Sequence, residues 1–255
     1  MPKQISPVVK IKGKIDGLNY FESQDGYMVQ KSARFSKDRY LTSETYDLTR
    51  RNASEFGIAG KAGRLFHKAF NAEIGKAADS RVMSRICKAM LRVLQSDTTG
   101  SYGQRRVESG NMAFLEGFDF NLAVPYEAAV KVDAVATVAR PTGLVAVSLP
   151  SYMPKEGIVA ADGATHYSFF AAAAAIDFAG ETVTAVQAET EDLPWVRTAT
   201  AADSLELNLP AASPLPIFVV MGITFKKIVN TEVFRFSKKE AALQLIGISQ
   251  PEPPL

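Results

Sequence analysis

The spacing of apolar residues changes once along this chain, and that change limits the folds open to it. Between residues 52 and 95 apolar side chains recur every three to four positions, the period of a helix with one buried face. Phe56, Ala59, Gly63, Phe66 and Phe70 mark a first helix. It is expected to begin near Asn52, where Asn52-Ala-Ser-Glu55 has the layout of a capping box. Val82, Ile86, Met90, Val93 and Leu94, with their neighbours, mark a second over residues 80–95. From Asn111 onward the period falls towards two, and Pro, Gly and Asp-rich turns separate short apolar runs. Strands are expected at 128–139, 144–149, 166–178, 182–188, 205–209, 217–225, 232–236 and 241–248, the spacing of an antiparallel β-sandwich. The run from Ala171 to Ala175 favours helix by propensity, but its flanks, His166-Tyr-Ser-Phe-Phe170 and Asp177-Phe178, alternate like a strand.

The N-terminal residues read as a β-meander. Residues 8–15 alternate apolar and basic positions, and Asp16-Gly17 and Asp25-Gly26 supply the positive-φ pairs that tight hairpins need. Residues 33–51 are polar and are expected to form a loop or extended arm, and residues 96–110 a loop carrying Arg105-Arg106. The expected fold is α+β and mainly β: residues 1–110 as a basic hairpin, polar arm and two-helix region, and residues 111–255 as an acidic β-sandwich domain.

Charge divides along the same line. Residues 1–110 hold ten Lys and ten Arg against eleven Asp and Glu, a net +9, whereas residues 111–255 hold nine basic against sixteen acidic residues, a net −7. Arg81, Arg85, Lys88 and Arg92 recur on one face of the second helix, and Lys61, Arg64 and Lys68 do so on the first. Like charges at such spacing destabilise an isolated helix by about 0.2–0.5 kcal/mol per pair, so an anionic partner would offset a real cost. Nucleic acid, the acidic half of the same chain or that of a neighbour would serve. Nucleic acid is the less favoured, because no stacking aromatics interleave with these cations and the acidic half would be repelled.

Catalytic signatures are absent from the sequence. It contains no G-x-S-x-G, H-E-x-x-H, C-x-x-C or G-x-x-x-x-G-K-[ST] pattern. Two histidines, His67 and His166, and the single Cys87 leave little material for a metal site. His166 near Asp162 is the one candidate for a catalytic base. Glu189, Glu191 and Asp192 read as a solvated acidic turn, and Gly57, Gly60 and Gly63 as a flat face for close helix packing. No cofactor is expected. No apolar run reaches the roughly 20 residues that span a bilayer. The first residues lack the layout of a secretory signal, so the expected location is cytoplasmic or within a released assembly.

Several stretches resemble an uncharacterised protein family of similar length found in Bacteroidota. They are Lys12-Gly-Lys-Ile15 with Asp25-Gly26-Tyr27, Asn52-Ala-Ser-Glu-Phe-Gly57 running into Ala59-Gly-Lys-Ala-Gly63, Leu115-Glu-Gly-Phe-Asp-Phe-Asn121, Gly163-Ala-Thr-His166 and Met221-Gly-Ile-Thr-Phe225. The resemblance implies a shared hairpin, helical pair and β-sandwich, and no activity.

The expected function is that of a structural subunit, not an enzyme, that self-assembles into a filament, tube or shell. Its basic side would be Lys61, Arg64, Lys68, Arg81, Arg85, Lys88, Arg92, Arg105 and Arg106, and its acidic side Glu181, Glu189, Glu191 and Asp192. Strand addition would supply the remaining contact. The alternative is a monomeric binding module whose Trp195, Tyr167 and Tyr152 contact a carbohydrate or protein ligand.

Overall fold

A computed structural model describes residues 2–5, 9–32, 37–230 and 232–251. The fold is α+β and mainly β, in two compact units, residues 1–50 and 51–255.

The first unit opens with an antiparallel sheet of β1 (Gly13–Ile15), β2 (Leu18–Ser23) and β3 (Gly26–Lys31), in the order β1-β2-β3. Asp16 and Gly17 take φ of 46° and 76°, the pair of left-handed residues that matches hairpin twist. The expected strand over 8–15 is reduced to β1, with Val8 outside the described residues. The expected polar arm is instead helical where it is described: α1 (Lys37–Thr42) is followed by a 3-10 turn, Glu44–Tyr46. The Arg50 guanidinium gathers this segment by donating to the carbonyls of Tyr40 (2.6 Å) and Ser43 (2.9 Å).

Helix α2 (Asp47–Ala69) starts earlier than its capping-box signature implies. The residues of that signature hold a loop instead. Ser54 Oγ donates to Gly103 O (2.9 Å), Glu55 Oε1 accepts from Gly103 N (2.9 Å), and Tyr102 Oη donates to Asn52 Oδ1 (2.5 Å). A short α3 (Asn71–Lys76) leads to α4 (Val82–Gln95). The two long helices come close at Gly63, where a Cβ would lie 3.0 Å from Cys87 Sγ. Gly57 and Gly60 have no such neighbour, so the expected close packing holds for one glycine of the three.

Beyond α5 (Tyr126–Ala129) follow β4 (Val135–Ala139) and β5 (Leu144–Leu149), then α6 (Pro154–Gly157). The strand expected over 128–139 is thus split. Tyr126 N donates to Asp119 Oδ1 (3.0 Å), starting a helical turn, and Val130 bridges to Ile158 before the chain extends. Next come β6 (His166–Asp177), β7 (Thr182–Glu189), β8 (Leu193–Pro194), β9 (Asp203–Asn208), β10 (Ile217–Val229), β11 (Glu232–Arg235) and β12 (Ala242–Ser249). One sheet runs β11-β10-β6-β7, with β12 on β10 and β8 on β6; a second runs β4-β5-β9.

The long strands β6 and β10 are buried on both faces. On one face Phe170, Ala172, Ala174, Ile176, Phe218 and Val220 pack with α2 and α4. On the other Phe169, Ala171, Ala173, Ala175, Val219 and Met221 pack with Val145, Val147, Leu205 and Leu207 of the smaller sheet. The second unit therefore has three layers: helices, large sheet, small sheet. The alanine run is the middle layer's answer to that arrangement, since small side chains let a helical layer and a second sheet approach the same strand. Strand β12 changes phase at a bulge opposite Val219 and Val220. Leu243 and Leu245 face the helices, Ile246 the small sheet, and Ile248 the helices again, as one extra residue requires.

Candidate functional site

The residues expected to form a basic stripe divide into those held inside the second unit and those that remain on its surface. Arg85 is held inside. Its Nη2 donates to Asp79 Oδ2 (2.5 Å) and Phe120 O (2.8 Å), its Nη1 to Asp119 O (2.5 Å), and its guanidinium lies 5.3 Å from the Phe118 ring. It fastens α4 to the segment entering α5. Desolvation works to raise the Asp79 carboxyl, but the amides of Leu122 and Arg81 and the Arg85 guanidinium together hold it below the usual carboxylate range. A carboxyl lowered on folding stabilises the protein above its unfolded pKa of about 3.9, and that contribution disappears as pH falls through the lower folded value. Asp79→Asn should cost about 1.5–3 kcal/mol at pH 7. The difference from the parent should shrink as pH falls below the unfolded carboxyl's range and through the lowered folded one, as urea titrations stepped from pH 7 into strong acid would show.

Arg105 is also drawn inward, 3.7 Å from the buried Glu55 and 5.5 Å from the Tyr102 ring. Arg106 donates its amide to Asp97 (2.9 Å), while its side chain is exposed. Asp97, itself buried, accepts further bonds from Thr99 Oγ1 (2.7 Å) and the amides of Thr99 (2.8 Å) and Gly100 (3.1 Å). Led by the Thr99 hydroxyl, these bonds hold its carboxyl well below the usual range. Residues 96–110 are the loop that the sequence predicts, and side-chain anchors on both Asp97 and α2 hold it.

Lys61, Arg64, Lys68, Arg81, Lys88 and Arg92 are exposed. Lys61 stands 3.6 Å from Glu181, with both side chains mostly in solvent, a pair worth at most about 1 kcal/mol. Arg92 lies 5.4 Å from the Phe114 ring.

Three of the four residues expected on an acidic side are likewise paired within the chain. Glu181 meets Lys61, Glu189 meets Lys76 at 2.6 Å, and Asp192 meets Lys226. Glu191 is exposed. Two of these pairs join the basic and the acidic halves, so part of the charge split is answered inside one molecule. Neither Lys76 nor Lys226 stands out in the sequence as a charge partner, because positions 76, 189, 192 and 226 come together only when the end of α3 meets the paired strands.

Around Glu189 lies a polar cluster of the large sheet. Ser168, fully buried, sets its Oγ 3.2 Å from Glu189 Oε1 and 3.0 Å from Thr224 Oγ1. Lys76 Nζ sits 4.8 Å from the Phe170 ring. Desolvation raises the Glu189 carboxyl, and Lys76, Ser168 and Lys226 outweigh it, so its net shift is downward.

The candidates for other functions are differently placed. His166 Nδ1 lies 2.9 Å from Thr165 Oγ1. Tyr167 is fully buried, with its hydroxyl 2.7 Å from that of Tyr152, so it is not available as a ligand contact. Trp195 donates Nε1–H to Ile158 O (3.2 Å), and Lys155 covers its ring at 3.2 Å. Among the described residues no group of three or more His, Cys, Asp or Glu is placed to hold a metal ion, and no helix is long and apolar enough to cross a membrane.

The first unit has a different character. None of its described residues is buried. Ile15 is 51% exposed and Leu41 54%, while Ile11 and Leu18 are also exposed. Lys12 pairs with Glu22, and the ammonium groups of Lys10 and Lys12 each lie 5.6 Å from the Tyr27 ring. Among the described residues strand β1 sits at the sheet's edge and pairs with β2 alone.

Comparison with protein-family models, with curated proteins and with solved structures finds no match.

Proposed function

We propose that this protein is a structural subunit, not an enzyme, that assembles with copies of itself into a homopolymer through its N-terminal sheet. The supporting observation is that no described residue of the first unit is buried. A three-stranded sheet is stable on its own only when it has a hydrophobic face to bury. Here Ile11 just before β1, Ile15 in β1 and Leu18 at the start of β2 stay exposed. Covering them on a second copy would contribute about 25 cal/mol per Å² of apolar surface, and the edge of β1 could extend a neighbour's sheet.

Charge supports a second copy as the occupant. Residues 1–50 carry nine basic against six acidic side chains, a net +3, and residues 111–255 a net −7. A contact between two different faces, repeated from copy to copy, builds a ring or an open fibre. Because Glu181, Glu189 and Asp192 already have partners within the chain, the main contact is apolar and backbone-mediated, with charge setting its direction.

The variant Ile15→Asp with Leu18→Asp tests this reading. Both side chains are exposed, so the second unit should melt as in the parent while the large particles disappear from light scattering. Particles of unchanged mass in the double variant would remove the N-terminal sheet from the contact.

A further inference from the structure

Where β10 pairs with β11, Lys226 stands directly opposite Arg235. Side chains so placed share a face with Cβ atoms about 4.5–5.5 Å apart, and like charges there repel. On the other side of Lys226, the same position in the β6 register belongs to His166. Lys76 arrives from the last position of α3, and Lys238 from the turn after β11. The four cations line one cavity of about 250 Å³ together with Glu189 and Phe236.

Its charges do not balance. Glu189 takes Lys76 and Asp192 takes Lys226, a side chain that is nearly buried. The side chains of Arg235 and Lys238 have no hydrogen-bond or ion-pair partner among the described residues. The excess is two positive charges at the mouth of a partly enclosed space, next to a repulsive cross-strand pair. A solvated surface would gain nothing from a lysine buried opposite an arginine. A bound dianion would neutralise the excess and relieve the repulsion, and the planar fork of an arginine fits a phosphoryl group's two oxygens.

We propose that this cavity binds a small dianion of the phosphate class, with Arg235 and Lys238 as its direct ligands and Lys226 as a supporting charge. The site belongs to each chain separately, so its stoichiometry is one per chain in any assembly state. It stands independently of the self-assembly reading.

Calorimetric titration of the full chain at fixed ionic strength tests it, with inorganic phosphate and phenyl phosphate as separate probes. Saturable binding of one equivalent per chain is expected. Arg235→Ala with Lys238→Ala should weaken it tenfold or more, and Lys88→Ala with Arg92→Ala, on α4, should leave it unchanged. Tighter binding of phenyl phosphate would assign the site to the phosphoryl group of an organic ester. Equal or tighter binding of inorganic phosphate would assign it to the free ion. A melting temperature raised by phosphate over chloride in the parent, and not in the Arg235/Lys238 variant, gives the same answer without calorimetry. Failure of both probes to bind saturably, or equal weakening by the α4 pair, would overturn the proposal.

Discussion

Phe66→Ala should lower the unfolding free energy of the second unit by about 3–5 kcal/mol. Phe66 is 1% exposed and meets three rings from three parts of the chain. It packs against Phe70 at 5.1 Å, Phe120 at 6.2 Å and Phe218 at 5.3 Å between centroids. One side chain thus joins α2, the segment entering α5, and β10. Removing it loses the transfer energy of the ring and leaves a cavity whose walls belong to separate elements and cannot collapse together. Domains of this kind have only about 5–15 kcal/mol in total, so the transition should move far down a urea titration. A loss below about 1 kcal/mol would mean that the helical layer contributes little to the sheet beneath it.

Gly222→Val should be nearly as damaging, for the opposite reason. A Cβ at position 222 would lie 2.3 Å from Phe170 Cζ and 2.6 Å from Ala242 O. The ring could turn aside, but the carbonyl belongs to the strand paired with β10 at this register. Overpacking typically costs about 1–3 kcal/mol, and a clash with backbone places this site at or above the upper end. In a double-mutant cycle, Gly222→Val should cost less on a Phe170→Ala background than on the parent, by the ring's share of the clash alone. A Gly222→Val change that costs nothing on the Phe170→Ala background would show that the Ala242 carbonyl is free to shift and that β12 is loosely held.

Periodicity carried most of the fold. The strand at 144–149 is legible to the residue, and the alanine run reads as a strand against its propensity because its flanks alternate. Periodicity failed where side chains, rather than hydrophobic faces, decide the backbone. Asn52, Ser54 and Glu55 look like a helix start from spacing alone, yet their partners lie some fifty residues further on, in Tyr102 and Gly103. The polar stretch after residue 36 gave no apolar signal, because α1 buries nothing.

The site was less legible for the same reason. Net charge showed that opposite halves exist, but not that Lys76 finds Glu189 or that Arg85 turns inward to Asp79. Those pairings depend on strand register and on the bend between α3 and α4. A helical-wheel count places Arg85 with Lys88 and Arg92, and only the three-dimensional path of the 119–120 backbone separates them.

The most direct test of the central claim is the mass of the purified full chain by light scattering, across protein concentration, at about 50 and 500 mM salt, where screening lengths are roughly 14 and 4 Å. An apolar, strand-mediated contact through the N-terminal sheet predicts particles of many times 27.6 kDa at both salts. A species of 27.6 kDa under every condition would contradict self-assembly.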